Sequence, residues 1–225
     1  MRLIAIIPAR GGSKRLPRKN ILPLSGKPLI AHVIATAIGS NIFDKVIVST
    51  EDREIADIAR KYGAEIFQRD TTLAQDSSTV VEACLDVLKI ESGDLFCCLY
   101  ATAALLSVKT IQDSYQRFIT EKTSVLMGVS EYNYSPIQAL KIDDKGGATL
   151  LLKEFEKKQS QHYPKIRVSN GPFYWGRRED FIKEKTFYSS NLKVFDVLKN
   201  EVCDIDTIDD YNQLVRIFNE NSLSG

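Results

Sequence analysis

The sequence predicts an α/β fold in which helices cover both faces of a mostly parallel sheet. Short, continuous apolar runs such as residues 3–8 and 45–49 have the length and composition of strands that are buried on both faces. Stretches of helical periodicity, such as residues 28–38, lie between these runs. With 225 residues, the chain is long enough for one large domain that buries roughly 70% of its unfolded surface. This alternation is typical of sheets with helices on both sides.

The N-terminal part of the chain predicts two consecutive units of one strand and one helix. In chain order these are a strand at residues 3–8, a helix at 28–38, a strand at 45–49 and a helix at 52–62. Thr50 is expected to cap the second helix, whose first turn is rich in acidic residues that favour the helix dipole. Gly63 lies just past the last helical residue, where glycine commonly ends a helix.

The same alternation continues as far as residue 129. The elements that follow are a short strand at residues 64–67, a helix at about 78–90, a strand at 94–100, a helix at 107–119 and a strand at 124–129. Each strand is a short apolar run, and each helix repeats apolar residues at helical spacing. The first 130 residues therefore predict a continuous series of strand and helix units.

The alternation breaks at residues 131–168, which combine a proline-bearing segment, a polar turn and a charged run. A long interruption in a compact domain is usually functional or an interaction element. The alternation then resumes with a short helix near Glu179, a strand at residues 193–197 and a final helix at 208–218. The sequence therefore predicts one α/β domain, residues 1–130 and 169–225, with residues 131–168 inserted into it.

The composition is that of an ordinary globular protein with little net charge. There are 30 Lys and Arg against 29 Asp and Glu, and 44% of the residues are hydrophobic. Because no bulk charge favours polyanions, we expect no nucleic-acid partner and no membrane partner. The longest apolar runs also fall short of the roughly 18 residues that span a bilayer. The four cysteines show no metal-ligand or secretory spacing, so we expect reduced core thiols in a cytoplasmic protein.

The loop at residues 9–20, directly after the first strand, has the composition of an anion-binding segment. It contains five cationic residues: Arg10, Lys14, Arg15, Arg18 and Lys19. Ligands of open α/β sheets bind at the carboxyl ends of the strands, which is where this loop is expected to lie. Gly11 and Gly12 allow positive φ and close approach of the backbone, which favours binding of a polyphosphate. The alternative is a solvated basic loop.

Asp204 and Asp206 form a candidate metal site near the end of the chain. In an extended segment, residues two apart place both carboxylates on one face. Together with substrate phosphates they would suit Mg²⁺. The alternative is an acidic helix cap, in which Asp206 or Thr207 caps the last helix and the following acids favour its dipole.

Two other residues that often carry function are expected to be structural here. His32 lies within an apolar helical pattern and is expected to be a satisfied core or interface residue. The single tryptophan, Trp175, is expected to pack in the core and not to stack on a base. The local sequence suggests no nucleophile paired with a histidine, so catalysis by covalent intermediates is not predicted.

Several motifs closely resemble those of the acylneuraminate cytidylyltransferases, the enzymes that make CMP-activated nonulosonic sugars. They are IIPARGGSKRLPRKN, GKPLI, FDKVIVSTED, YGAEIFQRDTTLAQD and CDIDT, and they extend over nearly the whole chain. The segments CCLYATA, SPIQAL and FYWG are most similar to the branch that acts on pseudaminic acid. The resemblance implies a three-layer, Rossmann-type fold like that of the nucleotide-diphospho-sugar transferases.

The resemblance also implies a reaction and the residues that bind CTP. The anomeric hydroxyl of a nine-carbon 2-keto acid would attack the α-phosphorus of CTP and release pyrophosphate, with Mg²⁺ as cofactor. Lys19, Arg10 and Lys14 would be catalytic because they offset charge on the phosphates. The implied CTP-binding residues are Ala9, Arg10, Gly11, Gly12, Ser13, Lys14, Lys19, Asn20, Arg69, Ser78 and Thr79. Asp204 and Asp206 match the metal-binding pair of the family.

Positions expected around the sugar depart most from the sialic acid pattern. Tyr100 and Leu106 stand where many members have glutamine and arginine. The implied sugar-binding residues are Tyr100, Thr102, Gln138, Lys141 and Arg167. Residues 131–168 match the arm through which such enzymes form a homodimer and reach the partner's sugar pocket.

These departures make the sugar the least determined part of the expected function. Pseudaminic or legionaminic acid is favoured over N-acetylneuraminic acid as the acceptor. One alternative is a cytidylyltransferase for 3-deoxy-manno-octulosonic acid. Another is a regulatory protein that binds the nucleotide without turnover.

Overall fold

The apolar runs of the sequence form the strands of one central sheet. The computed structural model describes residues 1–132, 134–170 and 172–223. Its strands are β1 (Leu3–Pro8), β2 (Pro23–Leu24), β3 (Lys27–Pro28), β4 (Lys45–Thr50), β5 (Glu65–Gln68), β6 (Leu95–Leu99), β7 (Val125–Val129), β8 (Leu140–Ile142), β9 (Ala148–Leu150), β10 (Phe173–Arg177) and β11 (Leu192–Asp196). Its α-helices are α1 (Leu29–Gly39), α2 (Arg53–Lys61), α3 (Val80–Ile90), α4 (Val108–Glu121), α5 (Arg178–Glu184) and α6 (Ile208–Leu223).

The central sheet has seven strands in the order β11-β7-β10-β6-β1-β4-β5. Every neighbouring pair is parallel except those that include β10, which runs antiparallel between β6 and β7. The expected mostly parallel sheet is therefore confirmed. The antiparallel strand comes from the segment after the interruption, where the sequence predicts only that the alternation resumes.

Helices pack on both faces of the sheet and form three layers. One apolar cluster joins Cys97 and its face of the sheet to residues of α1, α2 and α4. The other joins Cys98 and the opposite face to residues of α3 and α5. Because successive side chains of a strand point to opposite faces, the adjacent cysteines belong to different layers of the core. All four cysteines are free thiols, and Cys84, Cys97 and Cys98 are buried.

Local capping sets where the helices begin. The expectation that Thr50 caps α2 is wrong, since Thr50 is the last residue of β4 and the Asp52 carboxylate accepts the Ile55 N–H. At α3, Thr79 and Glu82 form a reciprocal capping box. Gly63, with φ of 93°, follows the end of α2 as expected.

Residues 131–168 lie largely outside the sheet. Their regular structure is the antiparallel hairpin β8–β9 and short 3₁₀ turns. Several large apolar side chains of this segment are exposed, namely Tyr134, Leu140, Ile142 and Leu151. An isolated antiparallel bridge between Ser130 and Val168 joins the two ends of the segment. No helix in the described ranges has both the length and the apolar character that a membrane crossing needs.

Trp175 is buried at the centre of the first cluster, and its replacement should destabilise the fold strongly. Its ring stacks on Phe43 and Phe118 at centroid distances of 5.6 and 6.0 Å, and its Nε1 donates to Ser114 Oγ at 2.9 Å. We expect Trp175→Ala to lower the free energy of unfolding by about 3–5 kcal/mol, because it leaves a large cavity. Urea unfolding measures the change. Tyr188→Ala, at a residue 72% exposed, should change it by less than about 0.5 kcal/mol. Similar losses in the two variants would contradict this placement.

Candidate active site

The cationic loop after β1 is held by the acidic start of α2. The backbone N–H of Gly11 donates to Glu51 Oε1 at 2.7 Å. Arg18 adopts the left-handed conformation with φ of 58°, and its guanidinium donates to Asp52 at 2.6 Å. That ion pair lowers the pKa of Asp52 and raises the pKa of Arg18. Contacts within the protein therefore hold the loop in a defined shape.

Close packing, and not positive φ, explains the glycine at position 11. The expected positive φ at Gly11 and Gly12 is wrong, because neither is among the positive-φ glycines of the structure. A Cβ at Gly11 would lie 2.4 Å from Asp52 Oδ2, which is far inside van der Waals contact. At Gly12 a Cβ would meet nothing within 4 Å. Of the two glycines, Gly11 is therefore the one whose backbone lies against Asp52, the residue that caps α2.

The loop borders a cleft of about 490 Å³ at the carboxyl end of the sheet. The expected site residues that line it are Arg10, Ser13, Lys14, Lys19, Asn20, Arg69, Ser78, Thr79, Tyr100, Thr102 and Asp206. Ala9, Gly11 and Gly12 are part of the loop but do not line this cleft. Asn20 is buried, and its amide Nδ2 donates to the carbonyl of Arg10 at 2.9 Å. This hydrogen bond holds the backbone of the loop in place.

Lys19 joins this loop to the acidic segment near the end of the chain. Its Nζ donates to the Ile205 carbonyl at 2.6 Å and lies 3.3 Å from Asp206 Oδ1. Arg15 pairs with the same carboxylate oxygen at 2.8 Å. The structure therefore places the cations of one loop and a carboxylate of the other at one cleft.

The Asp204 and Asp206 side chains are not used to cap α6. The cap is formed by Thr207 and Asp210, whose carboxylate accepts the N–H groups of Asp206 at 3.0 Å and Thr207 at 2.8 Å. The helix cap that the sequence offers as an alternative is therefore formed with Thr207. The carboxylates of Asp204 and Asp206 are not part of it. Asp206 lines the nucleotide-sized cleft, whereas Asp204 faces an adjacent cavity.

The two carboxylates suit a metal ion whose other ligands come from a substrate. Partial desolvation and the nearby charge of Asp206 raise the pKa of Asp204, as expected for like charges placed together. In the described part of the chain, no group of three or more His, Cys, Asp or Glu side chains could hold a metal. A pair of carboxylates with phosphate oxygens and water is a donor set that Mg²⁺ accepts.

Arg69 provides a buried cation at the base of the cleft. It is 5% exposed, and its guanidinium donates to the Ser49 carbonyl at 2.7 Å and to Ser49 Oγ at 3.1 Å. Burial lowers its pKa, and within the described residues it forms no ion pair with a carboxylate. A buried cation whose hydrogen bonds go to neutral groups, and which has the charge of Glu51 nearby, can bind a polar or anionic ligand group in the cleft.

A second cavity of about 590 Å³ adjoins the first on the Asp204 side. A narrow gap between them is lined by Tyr100 and Thr102 from the first cleft and by Asn170 and Asp204 from the second cavity. Burial raises the pKa of Tyr100, so its phenol is neutral at physiological pH. Asn170 Oδ1 is buried and has no hydrogen-bond partner in the described structure. It is therefore an acceptor available to a ligand.

Three expected sugar-binding residues lie outside both cavities of the single chain. Gln138 and Lys141 are exposed, Lys141 being in β8 of the hairpin. Arg167 forms ion pairs with Asp196 and, at 3.6 Å, with Glu131. The structure of one chain does not bring these three residues to the cleft.

Comparison with known proteins identifies the class of this enzyme. The family model described as Cytidylyltransferase matches residues 4–221. The chain is 38% identical over 216 residues to the pseudaminic acid cytidylyltransferase of Campylobacter jejuni, covering 93% of each chain. It is 35% identical to the CMP-N,N'-diacetyllegionaminic acid synthase of Legionella pneumophila, covering 92% of each. The chain belongs to the cytidylyltransferase family. The resemblance expected from its motifs is confirmed.

The fold of this cytidylyltransferase is also found in a solved structure with little sequence identity. A CMP:2-keto-3-deoxy-manno-octonic acid synthetase complexed with CTP matches with a TM-score of 0.76 at 16% identity, covering 98% of this chain and 100% of that chain. At this identity the likeness shows the fold alone, and it confirms the expected nucleotide-sugar-transferase-like architecture. Cytidylyltransferases of this fold generally use a divalent metal ion.

Sequence reasoning missed two charged residues of the cytidylyltransferase cleft. Arg15 is one of the five loop cations, and the sequence predicts no site role for it. In the structure it contacts Asp206. Asp76 lines the cleft and pairs with Arg10 at 2.9 Å and with Lys14. The cluster of cations could have indicated Arg15. For Asp76, a single acid in a polar loop, no local signal distinguishes it from a solvated residue.

Proposed function

We propose that this cytidylyltransferase transfers CMP from CTP to the anomeric hydroxyl of a nonulosonic acid and releases pyrophosphate. The observation that carries the proposal is the meeting of Lys19 with Asp206 at one cleft, which joins a cationic loop to a candidate metal site. Relatives named for pseudaminic and legionaminic acid support the acceptor class. Pseudaminic acid is the preferred acceptor in this proposal, because the relative named for it is the more similar of the two.

In this proposal the residues that line the cleft have two roles in binding CTP. Arg69, Ser78 and Thr79 would hold the cytidine. Arg10, Lys14 and Lys19 would hold the triphosphate. Several cations around a triphosphate bind by charge, and their fixed positions reduce the entropy lost on binding. Asn20 keeps the loop in shape through its bond to the Arg10 carbonyl.

Asp204 and Asp206 would hold Mg²⁺ together with phosphate oxygens of CTP. When bound, the ion would neutralise phosphate charge and polarise the α-phosphorus. Asp206 and the triphosphate would bind the same ammonium group of Lys19. Lys19 would therefore exchange its contact with Asp206 for one with the triphosphate when CTP binds.

The chemical step requires positioning and charge compensation more than covalent help from the protein. The acceptor hydroxyl oxygen gives up its proton to water and forms a bond to the α-phosphorus, and the bond from that phosphorus to the bridging oxygen of the β-phosphate breaks. Negative charge grows on the departing pyrophosphate, where Lys19 and Arg10 donate hydrogen bonds. Among the described residues that line the cleft, none is a serine, threonine or cysteine paired with a histidine, which is consistent with direct transfer.

The second cavity is the proposed acceptor site because it meets the first at the carboxylate pair. Asn170 Oδ1 would accept a hydrogen bond from a hydroxyl or amide N–H of the sugar. Tyr100 and Thr102 stand between the cavities, close to where the two substrates must join. In this proposal the enzyme is cytoplasmic.

A homodimer through residues 131–168 is part of the proposal. In such a dimer Gln138 and Lys141 would reach the acceptor cavity of the partner, whereas Arg167, paired with Glu131, lies beside the cavity of its own chain. Exposed apolar side chains on the hairpin, among them Leu140 and Ile142, support an interface there.

Pyrophosphate release from CTP with Mg²⁺ tests the function directly. We expect release only when a 2-keto sugar acid is present, with the highest kcat/KM for pseudaminic acid among pseudaminic, legionaminic, N-acetylneuraminic and 3-deoxy-manno-octulosonic acids. CTP without acceptor is the control for hydrolysis. A protein that bound CTP and released nothing with any acceptor would be a regulator, and preference for the eight-carbon acid would contradict the proposed acceptor class.

A further inference from the structure

The carboxylate of Asp76 pairs with Arg10 and Lys14, two cations of the cleft that are proposed to bind phosphate. Asp76 Oδ1 accepts a hydrogen bond from Arg10 Nη1 at 2.9 Å, and Oδ2 pairs with Lys14 Nζ. The side chain of Asp76 is 45% exposed and lines the cleft between the two cations. Both cations hold the pKa of Asp76 below its ordinary value, so the carboxylate is ionised at neutral pH.

A carboxylate and a phosphate group bind the same donors in these two side chains. Lys14 is 82% exposed, and apart from Asp76 no other ion pair with it is found among the described residues. The single carboxylate of Asp76 therefore pairs with both cations and offsets one of their two positive charges. A triphosphate that takes these donors must remove the carboxylate or share them with it.

The exposed side chain of Asp76 can turn away from the two cations without disturbing the core. Gln75, Asp76 and Ser77 are exposed and lie between the 3₁₀ turn Thr71–Ala74 and α3. The capping box of Thr79 and Glu82 fixes the start of α3 independently of Asp76. Displacement of Asp76 thus breaks exposed ion pairs, which contribute little to stability.

We propose that Asp76 is an internal competitor for the phosphate-binding cations, displaced by the β- and γ-phosphates of CTP and returning as pyrophosphate leaves. The inference rests on the proposed function for the identity of the nucleotide. In this role Asp76 acts through Arg10 and Lys14. Its competition lowers the affinity for the nucleotide and makes the release of pyrophosphate faster. A ligand that ends at the α-phosphate does not compete with Asp76.

Calorimetric binding of CTP, pyrophosphate and CMP to the wild type and Asp76→Asn tests the competition. We expect the Kd for CTP and pyrophosphate to fall about three- to tenfold in the variant, which corresponds to about 0.7–1.4 kcal/mol. The Kd for CMP should change by less than about twofold, because CMP lacks the competing phosphates. Asp57→Asn, which removes an exposed carboxylate paired with Arg60 on α2, is the matched control and should change none of the three.

The sign of the change distinguishes the roles that Asp76 could have. Weaker binding of CTP by the variant would overturn the inference and make Asp76 a ligand of the metal or an orienting residue. Pyrophosphate titrated without Mg²⁺ should also bind more tightly, and an effect seen only with Mg²⁺ would likewise overturn it. If the wild type bound no CTP, the proposed function would fail, while the pyrophosphate titration would still decide the competition. Unchanged pyrophosphate affinity would overturn the inference by itself.

Discussion

Replacing Lys19 by alanine should lower the turnover of pyrophosphate release by about 10²- to 10³-fold. Removing one preorganised donor from developing charge has effects of this size in other enzymes. Lys19 is 22% exposed and is held by the Ile205 carbonyl and Asp206, so its ammonium is fixed in the cleft. Because the proposed role of Lys19 is to compensate charge that grows as pyrophosphate departs, kcat should fall more than the affinity for CTP. Steady-state kinetics with a coupled pyrophosphate assay measures both.

Two further variants isolate the role of this ammonium group. Lys27→Ala removes an exposed lysine of the β2–β3 hairpin and should leave turnover unchanged within about twofold. Lys19→Arg keeps the charge but replaces a compact ammonium by a planar fork, and it should retain part of the activity. Thermal unfolding of each variant separates loss of fold from loss of chemistry. Near-normal turnover in Lys19→Ala would remove Lys19 from the mechanism.

Replacing Asp206 by asparagine should raise the Mg²⁺ concentration for half-maximal turnover by at least about tenfold and lower kcat. Loss even of outer partners of metal ligands weakens metal binding by about 10- to 100-fold, so loss of a ligand should do no less. Binding of CTP without metal should not weaken, because the variant releases Arg15 and Lys19 from their carboxylate partner. The Mg²⁺ requirement should therefore rise while the metal-free affinity for CTP does not fall. A general loss of structure would impair both.

Asp209→Asn is the matched control for this prediction. Asp209 is exposed in the first turn of α6 and lies outside both cavities. It should change the Mg²⁺ requirement by less than about twofold. Equal effects of the two substitutions would contradict the metal-binding role of Asp206, as would weaker metal-free binding of CTP by Asp206→Asn.

Much of the fold could be predicted from the sequence because its signals are local. Runs such as Leu95–Leu99 are apolar and short, as strands buried on both faces must be. Helix ends were less predictable, since several residues compete for each cap. At α2 both Thr50 and Asp52 are good caps, and the continuation of β4 through Thr50 leaves the role to Asp52.

The candidate site was predictable in its residue types but not in its contacts. Five cations after the first strand indicated an anion site, and the cleft does lie there. The bridging of Arg10 and Lys14 by Asp76 was not predictable, since it joins residues more than 60 positions apart through two loops. The expectation of positive φ at Gly11 was wrong. Glycine is required there because a Cβ would collide with Asp52.

The sequence by itself determined the alternation of strands and helices, the cationic loop after β1 and the acidic pair before α6. Each of these depends on apolar periodicity or on side-chain charge within a few residues. Only the tertiary structure decided that β10 runs antiparallel between β6 and β7 and that Lys19 meets Asp206, 187 positions away. Such contacts follow from the order in which strands pair, and this order depends on the packing of the whole chain.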